Sequence, residues 1–160
     1  MKWRNHSLMA GSIALLMDLY PAEIIFCVAA VNFPDQMEMI GKHRIIGHRT
    51  WTHEVLLWLV PFLLFLGFPH IWPVIPRVLS IPVTPSLRKF LTIRTAMLFL
   101  PGLLHLAGDV LTPRGVKLAG QKVALGLFRT GGPMEYVVTA LFVMAAILDK
   151  TGWSHLLPGR

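Results

Sequence analysis

Four apolar runs dominate the chain: Ser7 to Phe33, Val55 to Phe68, Phe90 to Val110 and Met134 to Leu148, interrupted by prolines and a few charges. They constrain the fold more than any other feature, because runs of this length read as helices, and helices apolar on most sides need a large core or a bilayer. Composition favours the bilayer. Of the 160 residues only 14% are charged, against about 25% in an ordinary water-exposed domain. The expected fold is all-α, a polytopic membrane helix bundle of one domain over residues 1–160, with three long helices and an N-terminal pair of short ones.

The breaks place these helices. Ser7 to Asp18 and Ala22 to Asn32 flank Leu19-Tyr20-Pro21, and each is too short to cross roughly 30 Å of hydrocarbon at about 1.5 Å per residue. Either they fold back as a hairpin, returning Asp35 to the side of His6, or together they form one broken span. A third helix is expected from Trp51 to about Phe68, with Thr50 as its cap, Glu54 in its first turn and Pro61 as a kink. The proline-rich residues 69–85 read as an extended connection, after which Ser86 caps a fourth helix over Leu87 to about Leu111. Thr112-Pro113-Arg114-Gly115 stops it. Gly131-Gly132-Pro133 opens the last helix, with Glu135 in its first turn and its end near Lys150.

Several classes of protein are not expected. The net charge of +7 sits in the connections rather than in a stripe, so no nucleic-acid role is anticipated. The lone Cys27 forms no intrachain disulfide. Residues Met1 to Met17 have the charge and apolar core of a signal peptide but no small-x-small cleavage site, and Asp18 cuts the run short, so the segment is read as retained.

Polar chemistry gathers where the helices end. His105 and Asp109 stand four apart on one helix face, so one ion or one proton path can use both. If the helices alternate direction, Asp35, His48, His53, His105, Asp109 and Glu135 all reach one side, and His6 joins them in the hairpin alternative. His48 and His53 converge only if the helix begins between them. Imidazoles with carboxylates are the ligand menu of zinc or a similar divalent ion. The bland alternatives are a hydrogen-bonded His105–Asp109 pair, a helix-ending Asp35 and a first-turn Glu135. His43, His70 and His155 read as solvated, and Glu38 and Glu54 as solvating or helix-dipole acids. Arg49 and Arg114 are either interfacial anchors or partners for a phosphate. Lys and Arg are more frequent on the cluster's side, which by the positive-inside rule is the cytoplasmic face of a bacterial inner membrane.

The combination of His6, Pro34-Asp35, His48-Arg49-Thr50-Trp51-Thr52-His53 and His105-Leu106-Ala107-Gly108-Asp109-Val110-Leu111-Thr112-Pro113-Arg114-Gly115 resembles the YdjM-type family of bacterial inner-membrane metal-dependent hydrolases. Arg129-Thr130-Gly131-Gly132-Pro133-Met134-Glu135 resembles that family's late glycine and glutamate element. The family is itself distantly similar to zinc-dependent phospholipase C and single-strand nuclease. The resemblance implies His6, Asp35, one or both of His48 and His53, His105, Asp109 and Glu135 as metal ligands. Met37 stands where the family commonly has a second aspartate, with Glu38 beside it as a substitute, and Glu54 where it has serine, so the number of ions stays open.

The expected function is therefore hydrolysis of a phosphoester, with a membrane lipid as substrate class and partner. Metal-activated water would attack, Asp35 or Asp109 would position or deprotonate it, and Arg49 and Arg114 would offset phosphate charge. Two alternatives stand beside it: a proton- or metal-coupled transporter, and a non-catalytic membrane protein with a structural metal.

Overall fold

The computed structural model describes residues 1–40, 43–44, 51–71 and 95–152. Its organising helix is α1 (Trp3–Leu16), which packs against the helices that follow it and the one that ends the fold. Small residues on α1 allow the close approach: a Cβ at Gly11 would stand 2.9 Å from Val28 Cγ2. After α1 the chain turns through Asp18, whose φ is +54°, into α2 (Pro21–Ala30). Pro21 suits a first helical position, and the Glu23 carboxylate accepts the Tyr20 N–H at 3.0 Å. The two helices form a hairpin rather than a broken span, and Asp35 returns to α1, where the Trp3 indole donates to its Oδ2 at 2.9 Å.

A one-turn helix, α3 (Phe33–Gln36), leads to a two-stranded antiparallel pair, β1 (Met39–Ile40) and β2 (His43–Arg44). A 3₁₀ turn over Trp51–His53 precedes α4 (Val55–Ile71). Next come α5 (Thr95–Met97) and α6 (Leu100–Val110). A second hairpin pairs β3 (Val116–Leu118) with β4 (Gln121–Val123), and α7 (Pro133–Lys150) is the last described element. The Glu54 carboxylate pins that hairpin to α4, accepting the backbone N–H of Ala119 at 2.8 Å and of Gly120 at 3.1 Å. Glu54 is thus a structural acceptor, not merely a solvating acid.

The main core joins Ala10 and Ala14 of α1, Cys27 and Val31 beside them, and Leu100 and Leu104 of α6. Burial, and then the negative charge of Glu23, push the Cys27 thiol up to about 11, so it serves as a small apolar residue. A second cluster of Trp58, Leu106 and Val116 sits under the β3–β4 hairpin.

This architecture corrects the membrane-bundle expectation. The fold is mostly helical but carries two small antiparallel sheets, and among the described residues no helix is long and apolar enough to cross a membrane. Two local causes are visible. The helix expected from Leu87 is broken within its described part: α5 ends at Met97, and α6 restarts at Leu100 with Pro101 in its first turn, where proline's missing N–H is harmless at a start and disruptive inside. The longest described helix, α7, has 18 residues, about 27 Å at the helical rise, and carries Glu135, Asp149 and Lys150. The multi-pass inner-membrane placement falls with the spans. So does the assignment of the site to a cytoplasmic face, since it counted basic residues on either side of them.

Candidate metal centre

Five of the residues singled out from sequence meet at one end of the helices. His6 comes from the second turn of α1, Asp35 from α3, His53 from the end of the 3₁₀ turn, and His105 and Asp109 from α6. His6, His53, His105 and Asp109 are buried to within 1% of complete, and the Asp35 side chain alone stays partly open, at 14% exposure. The helical spacing of four does what it promised: Asp109 Oδ2 lies 3.7 Å from His105 Nε2.

Donor spacing is what an ion requires. His53 Nε2 and His105 Nε2 are 3.4 Å apart, and Asp35 Oδ1 is 3.4 Å from the first and 3.8 Å from the second. Ligands held at about 2.1 Å around a tetrahedral ion are separated by roughly 3.4 Å, so this triangle is nearly the face of such a coordination shell. Asp109 Oδ2 lies 3.5 Å from His53 Nε2, while its Oδ1 lies 3.4 Å from His6 Nε2 and 3.0 Å from the Met1 amine. Two groups of potential ligands result, His6 with His105 and Asp109, and Asp35 with His53 and His105, sharing His105.

Orphaned polar atoms point the same way. Among the described residues neither ring nitrogen of His6, nor Nδ1 of His105, has a hydrogen-bond partner of good geometry, although both rings are buried. The two rings stack at 4.1 Å and 20°. A buried nitrogen without a partner costs about 1–3 kcal/mol, and a bound cation would supply a partner of the kind these nitrogens lack. The residues present therefore fit a metal ion, and these buried histidines and aspartates can hold one.

His53 is oriented by Glu38, which the sequence offered either as a solvating acid or as a substitute for the family's second aspartate. Glu38 is completely buried, and its Oε1 accepts from Thr52 Oγ1 at 2.5 Å and faces His53 Nδ1 at 3.1 Å. A carboxylate on Nδ1 fixes the proton there and leaves Nε2 to present its lone pair to the cluster. The Trp58 indole, donating to the Thr52 carbonyl at 2.8 Å, holds the turn in place. The available signal was the three-residue step from Asp35 to Glu38. Trp3 was missed, three residues before His6.

The remaining predicted residues are placed differently. Glu135 is buried, but its carboxylate accepts from Lys2 N at 2.7 Å, Asn5 Nδ2 at 2.6 Å and Gly131 N at 2.5 Å. It clamps the start of α1 to the start of α7. Burial raises its pKa, and the Gly131, Lys2 and Asn5 hydrogen bonds more than reverse that. Arg114 is exposed in the turn after α6. His48 and Arg49 lie outside the described residues, as do the side chains of His43, His70 and His155.

Charge is distributed unevenly in the cluster. Burial pushes the Asp109 carboxyl up, but its approach to His53, to His6 and to the Met1 amine holds it well below the usual carboxylate range. Asp35 is held low, against burial, by His53 and by the Trp3 indole. Burial lowers His53, yet Asp109, Asp35 and Glu38 outweigh it and raise the group to about 9. His105 is pushed down to about 3 by burial and then by His6. Without a cation the cluster thus keeps a proton on His53 and none on His105.

A pH dependence follows. Cation binding needs the His53 lone pair and so expels that proton, and apparent affinity should rise about tenfold per pH unit through neutrality and level off near pH 9. Stability of the metal-free protein has the opposite sign. The raised His53 pKa contributes stability fully present below about 6.5, the free histidine value, and lost as pH climbs through about 9. Zinc titrations and denaturant midpoints in chelator, both from pH 6 to 9, check the pair of slopes; a pH-independent affinity contradicts the assignment.

Gly108 makes the site possible. A Cβ there would stand 2.8 Å from His6 Nδ1, 3.0 Å from His6 Cε1 and 2.8 Å from Met9 Cε. Gly108→Ala should gain up to about 1 kcal/mol of helix propensity while forcing the imidazole off its stack on His105, since only the Met9 tip can swing away. Chelator-treated stability is expected within about 1 kcal/mol of wild type, with zinc affinity reduced about 10- to 100-fold, as when a ligand's support is removed. Calorimetric zinc titration beside a denaturant melt measures both.

No protein-family model, curated protein or solved structure matches the chain.

Proposed function

We propose that this protein is a metal-dependent hydrolase of phosphoesters, and that the metal is zinc. The observation that supports it is the donor set itself: imidazole and carboxylate groups at 3.4–3.8 Å spacing, buried on every side but that of Asp35. Mixed nitrogen and oxygen donors in that spacing suit zinc better than the harder ions, which prefer oxygen alone. An ion held by His53, His105 and Asp35, or by His6, His105 and Asp109, would supply a Lewis acid and acidify bound water.

The chain's own groups divide the remaining work. Asp35 is the donor that solvent reaches, and its depressed pKa keeps it a carboxylate able to accept a hydrogen bond from an incoming water and so orient it. Asp109 is deeper and places one oxygen toward each group of ligands. Glu38 fixes the His53 ring. Between Asp109 and Glu135 the chain has no acidic residue but carries Arg114, Lys117, Lys122 and Arg129, which suits an anionic substrate.

The experiment is metal analysis of the purified protein, then hydrolysis of bis(p-nitrophenyl) phosphate with and without added zinc. Stoichiometric zinc with zinc-dependent turnover supports the proposal. Zinc held tightly with no turnover of any phosphoester would favour the structural-metal reading, and absence of zinc binding would sink both.

A further inference from the structure

We infer that the apolar cavity beside the metal centre holds a hydrocarbon chain attached to the substrate's phosphoester; this rests on the hydrolase reading above and names its substrate class. The cavity encloses about 480 Å³, within the roughly 300–1,000 Å³ of small-molecule sites. Its walls are built by the elements that carry the metal donors. Phe33 and Met37 flank Asp35, Trp51 opens the turn that ends in His53, and Gly102 lies one helical step of three from His105 on α6. A side chain at i and another at i+3 share a helix face, so α6 presents the cavity floor and the metal donor in succession.

The lining fits a chain and not a polar ligand. No charged side chain is among the residues that form it, so a polar group entering would lose its hydration without a partner. The Trp58 ring lies against the bare backbone of Gly102, where a Cβ would come within 2.1 Å of it. At the rim Phe33, Trp51 and Leu98 are 48%, 48% and 55% exposed, large apolar surfaces that an inserted chain would cover. A charged centre and an apolar slot on shared elements match an amphiphile, its phosphate at the donors and its chain in the slot. The earlier expectation of a lipid came from membrane spans that the fold lacks; the slot supports an apolar substrate independently of them.

The test uses alkyl p-nitrophenyl phosphate diesters with methyl, hexyl and decyl chains and the zinc-loaded protein. Each buried methylene contributes up to about fourfold, so kcat/KM should rise at least tenfold from methyl to hexyl. Two variants probe the slot: Ala30→Phe fills it, and Leu98→Glu sets a carboxylate at its exposed rim. Both should collapse the hexyl-to-methyl ratio toward one. Binding is read separately, without turnover, as quenching of tryptophan fluorescence by a brominated alkyl phosphate, expected for wild type and lost in both variants, with circular dichroism reporting their folding. A flat chain-length profile with turnover of the methyl ester overturns the slot and leaves the hydrolase reading standing. Absence of all turnover with quenching intact overturns the hydrolase reading and leaves the slot. A misfolded variant is replaced by the other, and quenching absent in wild type overturns the inference outright.

Discussion

His105→Ala is expected to abolish the zinc-dependent turnover proposed for this chain and to lower zinc affinity by at least two orders of magnitude. The reason is that His105 belongs to both groups of ligands, so its loss leaves only Asp35 with His53 on one side and His6 with Asp109 on the other. Structural zinc contributes about 10–16 kcal/mol over four ligands, hence roughly 3 kcal/mol for each, and 1.4 kcal/mol is a factor of ten. The effect is separable from folding. His105 is neutral in the metal-free protein, its pKa pushed down to about 3 by burial and then by His6, and among the described residues its Nδ1 meets no partner. Removing it therefore deletes no buried ion pair, and its cost in chelator is chiefly that of a small cavity. The stabilisation expected from zinc in wild type on the proposed reading, which grows as the logarithm of ligand over dissociation constant, should vanish in the variant. Melting curves with zinc and with chelator, beside metal analysis, decide it; a variant that retains its zinc-induced shift removes the basis of the proposal.

How legible the site was in the sequence depends on which residues are considered. His105 and Asp109 were readable from helical spacing alone, and the structure places His105 Nε2 3.7 Å from Asp109 Oδ2. Asp35 and His53 were readable from their positions at helix ends in an alternating bundle. That reasoning was cast in terms of spans, but it needs only antiparallel helices with short connections, and so it survives the loss of the membrane. His6 depended on the hairpin alternative, and a turn through Asp18 with positive φ produces that hairpin.

What the sequence concealed has physical causes too. Glu38 looks like a loop acid because nothing local announces that Thr52 and His53, fourteen and fifteen residues on, will bury it. Gly108 looks like a neutral spacer in a helix. Only the packed structure shows the imidazole lying where its side chain would be. Glu135 has the residue type of a ligand, but three backbone and amide donors claim its oxygens. The span expectation failed because mean hydropathy over a run ignores where helices stop. The apolar excess instead stands on the outer faces of α4 and α7, where Leu63, Leu64, Leu141, Met144 and Ile147 are each more than half exposed.

Asp109→Ala should be the most destabilising single change in the cluster, and by a mechanism distinct from loss of metal. The Asp109 carboxylate is nearly completely buried, 3.0 Å from the Met1 amine, 3.4 Å from His6 and 3.5 Å from His53. Its pKa is held far below the usual range by these neighbours, against the pull of burial, so at neutral pH it is the negative charge that makes a protonated His53 tolerable. Deleting one partner of a buried ion pair costs about 3–5 kcal/mol, because the other charge is left without compensation. At roughly 2–4 °C per kcal/mol for a chain of this size, the metal-free melting temperature should fall by about 10 °C. The sign with pH distinguishes this from a cavity. His53 would lose its principal source of elevated pKa and shed its proton nearer neutrality, so the deficit should shrink as pH rises from 6 to 9, whereas the cost of missing volume is independent of pH. A thermal melt of the variant and wild type in chelator at several pH values reads the difference, and a deficit that is constant across that range would show that Asp109 acts by packing alone.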